Sequence, residues 1–148
     1  MDRIGFDIDN VLSCTDSVMR DIINNYTQKR VNLCYEDITC FNYHECRDKK
    51  GNQITKKEWD NIHSIFSEPQ NILKIKPMKN CRKILHSISN EIEIHLFTTR
   101  KKKAWSATID WLESNKIRYD CLHFIQHRTK HQFGPFNLFF EDDYEQAA

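Results

Sequence analysis

Ile4-Gly5-Phe6-Asp7-Ile8-Asp9-Asn10-Val11-Leu12 is the stretch on which the reading of this chain turns. An apolar, β-prone run ends in two carboxylates separated by one residue. In a strand, side chains alternate between faces, so Asp7 and Asp9 emerge on the same side. Both fall at the carboxyl end of the strand, the edge at which open α/β sheets bind ligands. Two carboxylates placed together repel unless a cation or a shared proton compensates. The pattern therefore suits a hard divalent metal, which takes oxygen ligands and bridges to phosphate.

Working outward, the chain alternates helix and strand. Thr15 or Asp16 can cap a helix whose apolar face is Val18, Ile22 and Tyr26, with Met19 and Ile23 beside them, running to about Lys29. Residues 31–75 read as mainly helical. Glu36 to Thr39 and Thr55 to Glu58 are helix starts, the second a capping box, and Trp59, Ile62, His63 and Phe66 give an apolar stripe. Cys81, Ile84, Leu85 and Ile88 repeat at helical spacing, and the helix ends near Asn90. Ile92–Phe97 alternates as a strand. A helix over Lys103–Asn115 presents Trp105, Ile109 and Leu112. Cys121–Ile125 and Leu138–Phe140 are two further short strands. Strands alternating with helices predict an α/β fold, a Rossmann-like parallel sheet with helices on both faces. The expected division is a core of residues 1–12 and 76–148, with residues 13–75 as a small helical cap inserted after the first strand.

Composition narrows the function. At 148 residues the chain is a single domain by size, and its net charge of +1 points to neither a nucleic-acid polymer nor an anionic membrane. No apolar run reaches membrane-spanning length and no signal-peptide pattern opens the chain, so the expected localisation is cytoplasmic. The six cysteines are scattered without a Cys-x-x-Cys pair. Cys40, His44 and Cys46 lack a fourth ligand at zinc-site spacing, so the expectation is free, mostly buried thiols. With three glycines no glycine-rich phosphate loop can be built.

Chemistry-bearing residues recur after each later strand. Thr98, Thr99 and Arg100 follow the second, Arg128 and Lys130 the third, and Glu141, Asp142 and Asp143 the fourth. In a parallel sheet these ends share one edge, so acids, a hydroxyl and a cation converge on Asp7 and Asp9. A receiver domain uses similar groups, but there the phosphorylated aspartate lies mid-chain; here the second acidic cluster comes last.

In these four motifs the sequence resembles the haloacid dehalogenase-like (HAD) phosphohydrolases. Through Tyr35-Glu36-Asp37-Ile38-Thr39, Ile94 to Arg100, Asp120 to Phe124 and Leu138 to Asp142 it resembles their 5′(3′)-deoxyribonucleotidase branch. The resemblance implies a Mg²⁺-dependent phosphatase acting on a small phosphorylated substrate, a nucleoside monophosphate. It implies Asp7 as nucleophile, Asp9 as general acid and base, and Thr98 and Lys130 as catalytic partners. Metal would be held by Asp7, Asp9, Asp142 and Glu141, and phosphate by Thr98, Thr99 and Lys130 or Arg128. Phe41, Tyr43, Trp59 and Arg100 are the candidates for substrate contact, with the Arg100 to Lys103 run otherwise a solvated helix start. The sequence departs from the family pattern at Asn10, where glycine is common, at Glu141, where aspartate is frequent, and in a short Lys130–Glu141 spacing. Relatives usually add a helix and a strand after the last motif. A fourth strand left at the edge would expose unpaired backbone groups and invite association. Two alternatives stay beside this reading: a phosphatase of another small metabolite, and a catalytically silent nucleotide- or partner-binding module.

Overall fold

The computed structural model describes residues 1–126 and 129–142. Four strands, β1 (Arg3–Asp7), β2 (Glu93–Thr98), β3 (Cys121–Phe124) and β4 (Leu138–Phe140), form one sheet in the order β3-β2-β1-β4. All three pairings are parallel, as the strand–helix alternation predicts. The register sets Arg3 against Glu93, His95 against Cys121 and Gly5 against Phe139. Two faces of opposite character follow. Ile4, Phe6, Ile94, Leu96 and Leu122 point one way, and Gly5, Asp7, His95, Phe97, His123 and Phe139 the other.

The first face packs against the α-helices. Ile94 and Leu96 are fully buried with Leu85 of α4 (Cys81–Ser87) and Trp111 and Leu112 of α5 (Trp105–Ser114). Trp105 stacks on Phe124 with ring centroids 4.7 Å apart. The second face is covered by the β3–β4 connection, a 3₁₀ helix at Lys130–Phe133 followed by Phe136. Phe133 and Phe136 each stand edge-on to Phe97 at 5.5 Å. Both crossovers on the first face shift the chain the same way across the sheet, and β4 returns past β1 on the second face, as right-handed connections require.

Between β1 and α4 the chain forms α1 (Thr15–Tyr26), 3₁₀ turns at Tyr35–Asp37 and Tyr43–Glu45, α2 (Lys56–Phe66) and α3 (Pro69–Leu73). It leaves and rejoins the sheet at adjacent points: the Cys14 amide donates to the Lys76 carbonyl and the Met78 amide to the Leu12 carbonyl, both at 2.8 Å. The Thr55/Glu58 capping box forms as expected, and Trp59, Ile62 and Phe66 are buried. α1 packs on α2, and α3 packs on α5.

Several helix details differ from the sequence expectations. The position ahead of α1 is Cys14, because the Thr15 hydroxyl is committed to Asp9, and α1 stops at Tyr26 ahead of left-handed Gln28 and Lys29. Glu36 opens only a single 3₁₀ turn. α4 ends at Ser87 with Ile84 exposed. α5 buries Ala107, Thr108, Trp111 and Leu112, leaving Ile109 exposed and Trp105 at its edge. His95, which alternates with Ile94 and Leu96 and so reads as the polar side of the strand, is 2% exposed.

Candidate active site

The carboxyl ends of β1, β2 and β4 meet at one end of the sheet, where a cleft of about 790 Å³ opens toward the segment between α1 and α2. The turn after β1 makes this edge. Asn10 adopts φ +63°, the left-handed conformation that glycine takes freely and asparagine tolerates. Its side-chain oxygen accepts the Asp16 amide at 2.8 Å, and its amide nitrogen donates to Asp142 at 3.4 Å. The departure at Asn10 thus ties the first motif to the start of α1 and to the last acid.

Asp7 is buried at the end of β1, with Lys130 Nζ 3.5 Å from its Oδ1. Lys130 also pairs with Glu141 and lies 5.2 Å from the Phe139 ring centroid. The Lys130–Glu141 spacing that is short in sequence is spanned by a 3₁₀ helix and a three-residue strand, so lysine and acid still meet. One carboxylate oxygen each from Asp7, Glu141 and Asp142 lies within 4.8 Å of the others. Burial, and then the hydrogen bond with Asp142, pushes the Asp7 carboxyl up to about 9, against the pull of Lys130. Three converging acids with Lys130 beside them form an all-oxygen donor set that fits a hard divalent cation.

Asp9 is held quite differently. Arg100 donates to its Oδ1 from Nε at 3.1 Å and Nη2 at 2.7 Å; Thr15 donates to Oδ1 at 2.7 Å and Thr98 to Oδ2 at 3.0 Å. Burial disfavours its charge, but the Arg100 guanidinium and these hydrogen bonds outweigh that and hold the carboxyl below its usual range. Arg100 is 8% exposed, bonds Thr108 at 3.0 Å and sits over the Phe66 ring. It is therefore a buried partner of the second aspartate, not part of a solvated helix start. The Thr98 hydroxyl faces Asp9, while Thr99 is exposed at the cleft. Arg128 and Asp143 lie outside the described residues.

The aromatic candidates separate. Tyr43 and Trp59 are 8% and 7% exposed and stack on each other at 5.2 Å. The Tyr43 hydroxyl donates to Asp16 at 2.5 Å, and Asp16 is paired with Arg20 at 2.7 Å, so this turn is locked to α1. Phe41 is half exposed at the cleft. Tyr35, 72% exposed, and His63, whose imidazole burial holds below its ordinary range, also line the cleft. The sequence placed Tyr35 in a family motif and His63 on an apolar helix stripe but neither in the cleft, and it did not mark Thr15 as an Asp9 partner; the position of Thr15 at the start of α1, immediately after the β1 turn, was the available signal.

No curated protein sequence matches the chain. Among solved structures, a HAD-superfamily hydrolase of subfamily IA, variant 1, from Geobacter sulfurreducens PCA is similar in fold, with a TM-score of 0.52 at 7% identity. The match covers 84% of this chain and 63% of that one, so the chain spans a little under two thirds of that relative's length. The sequence profile of the family described as 5′ nucleotidase, deoxy (Pyrimidine), cytosolic type C protein matches residues 2–146. Matched over nearly its whole length by that profile, the chain belongs to this nucleotidase family of HAD-like fold.

Proposed function

We propose that the protein is a Mg²⁺-dependent phosphomonoester hydrolase of the cytoplasm, a 5′-nucleotidase of (deoxy)ribonucleoside monophosphates acting through an aspartyl-phosphate. The observation that carries this reading is the buried Asp7, with Lys130 3.5 Å away and Glu141 and Asp142 converging on it. Asp7 attacks phosphorus, the phosphorus–oxygen ester bond breaks, and the leaving alkoxide takes a proton from Asp9. Water then attacks the acyl phosphate, Asp9 takes its proton, and inorganic phosphate leaves with Asp7 regenerated. Asp7, Asp142, Glu141 and the Asp9 backbone carbonyl would hold Mg²⁺, which supplies charge neutralisation to the acids and the phosphoryl oxygens. Lys130 stabilises the equatorial oxygens and keeps Asp7 ionised once that cation is bound; Thr99, exposed at the cleft, offers a hydrogen bond to phosphate, while the Thr98 hydroxyl holds Asp9 in place.

The hold of Arg100 on Asp9 adds a condition. A carboxylate kept anionic by a guanidinium is a poor acid. A bound phosphate competes for Arg100, lowers the counter-charge at Asp9 and lets it take up the proton that it later delivers. Residues 13–75 act as the cap that closes the cleft over this exchange and excludes water. A panel of nucleoside and sugar monophosphates with Mg²⁺, followed by phosphate release, tests the reading. Nucleoside 5′-monophosphates are expected to be hydrolysed best, and EDTA to abolish turnover. Full activity after rigorous chelation, or sugar phosphates consistently preferred, would overturn it.

A further inference from the structure

A second cluster lies on the sheet face away from the α-helices, and the phosphate chemistry does not use it. His95 sits opposite Cys121, and Phe97 opposite His123, so strand alternation puts His95, Cys121 and His123 on one face of β2 and β3. His95 Nδ1 is 2.8 Å from His123 Nε2, and the rings stack at 5.1 Å. One donor atom from each of His95, Cys121 and His123 lies within 4.8 Å of the other two. The outer nitrogen of His95, Nε2, is bonded to the Glu93 carboxylate. That bond places a proton on Nε2 and leaves Nδ1 as a lone pair directed into the cluster. A carboxylate behind an imidazole is the arrangement that orients histidine ligands in metal sites.

We infer that His95 Nδ1, His123 Nε2 and Cys121 Sγ form a zinc site, with water completing the coordination. Two imidazoles and a thiolate suit a borderline-soft ion and not Mg²⁺, so the site is distinct in chemistry from the acids around Asp7. His95 is buried under Phe136, with ring centroids 5.3 Å apart, and His123 under Phe133 at 4.6 Å. Cys121 and His123 are on the edge strand and half-buried, so an ion can enter from solvent. The Arg3 guanidinium, 3.5 Å from Glu93, is balanced by that carboxylate. On binding, the proton between the imidazoles moves to His123 Nδ1 and the Cys121 thiol releases its proton to solvent.

Cobalt reports on such a site without reference to activity. Protein stripped of metal and then saturated with Mg²⁺, so that the carboxylate site is filled, is titrated with Co²⁺. One equivalent is expected to produce a thiolate-to-cobalt charge-transfer band that Zn²⁺ then abolishes. Cys121→Ser removes the band, and Glu93→Gln weakens binding by roughly 10–100-fold. Cys40→Ser/Cys46→Ser, which removes a close thiol pair (Sγ–Sγ 3.5 Å) away from the site, leaves the band intact. Cys121 lies at the sheet edge, and far-ultraviolet circular dichroism establishes that its variant is folded. A folded wild type that gives no band, or a band kept in Cys121→Ser and lost in the Cys40/Cys46 variant, would overturn the assignment and leave a hydrogen-bonded histidine pair.

Discussion

Asp7 and Asp9 share a strand end, yet one has a carboxyl pushed up to about 9 and the other is held below its usual range. The difference lies in their neighbours: Asp7 faces Glu141 and Asp142, and Asp9 faces Arg100, Thr15 and Thr98. This division fits a nucleophile waiting for a cation and a separate proton carrier. In Asp7→Asn no phosphoenzyme can form, and turnover should fall by several orders of magnitude. Asp9→Asn keeps the nucleophile but loses acid–base catalysis, worth roughly 10²–10⁴-fold in each step. With p-nitrophenyl phosphate, whose leaving group needs no proton, Asp9→Asn should accumulate phosphoenzyme. Intact-mass spectrometry after brief incubation should show the added phosphoryl group in Asp9→Asn and none in Asp7→Asn; the reverse pattern would exchange the roles. The same contrast makes a stability prediction for metal-free protein. Between about pH 4 and about pH 9 the native state keeps a proton on Asp7 that the unfolded chain has lost, so stability falls as pH rises through this window. Asp9 acts oppositely: its contribution is present above the unfolded pKa and is lost as pH falls through the lowered native value. The melting temperature of wild type should therefore decline relative to Asp7→Asn from about pH 5 to about pH 9, and Mg²⁺ should recover the difference. Parallel curves for the two proteins would remove the strain at Asp7.

At the scale of elements, β1 works because one residue in it has no side chain. A Cβ at Gly5 would lie 2.4 Å from the Phe139 ring, and that ring cannot easily yield. It is wedged against Phe97 at 5.3 Å and Phe136 at 5.4 Å, and Lys130 sits over it. Gly5→Ala should cost about 1–3 kcal/mol by overpacking and lower kcat by displacing Lys130 from Asp7. Phe139→Leu, which frees space on that face, should restore part of the melting temperature in the double variant; strict additivity of the two changes would show that they do not meet. The sequence carried the strands, the capping box and the order of the four motifs, because alternation, caps and strand-end chemistry are local signals. It did not carry the buried face of α5 or the burial of His95. Trp105 and Ile109 are apolar at plausible spacing, but Thr108 occupies the inner face through its bonds to Arg100 and the Ala104 carbonyl. Likewise His95 reads as the polar half of an alternating strand until Phe136, about 40 residues later, folds over it. The grip of Arg100 on Asp9 was hidden for the same reason: partners 91 residues apart leave no periodic trace.

The whole molecule sets an electrostatically divided sheet edge against a mainly helical insertion, and the cleft between them is where selectivity has to arise. No helix among the described residues is long and apolar enough to cross a membrane. Base recognition in a nucleotidase needs a surface that is apolar, planar and reachable, and only some of the aromatics here satisfy all three. All four line the cleft, but Tyr43 and Trp59 are buried and stacked on each other, whereas Tyr35 and Phe41 are exposed on its wall. If a base stacks in the cleft, Tyr35→Ala and Phe41→Ala should change the ratio of kcat/KM between nucleotides, by roughly 5–100-fold for a lost stacking contact of about 1–3 kcal/mol. The single-turnover rate with p-nitrophenyl phosphate, which has no base, should stay close to wild type in both. Trp59→Ala should behave otherwise: it opens a cavity in the insertion and lowers stability by about 3–5 kcal/mol, with any loss of activity equal across substrates. Base selectivity unchanged in both exposed-aromatic variants, with both folded, would mean that the cleft reads the sugar or the phosphate alone and that the insertion serves to exclude water.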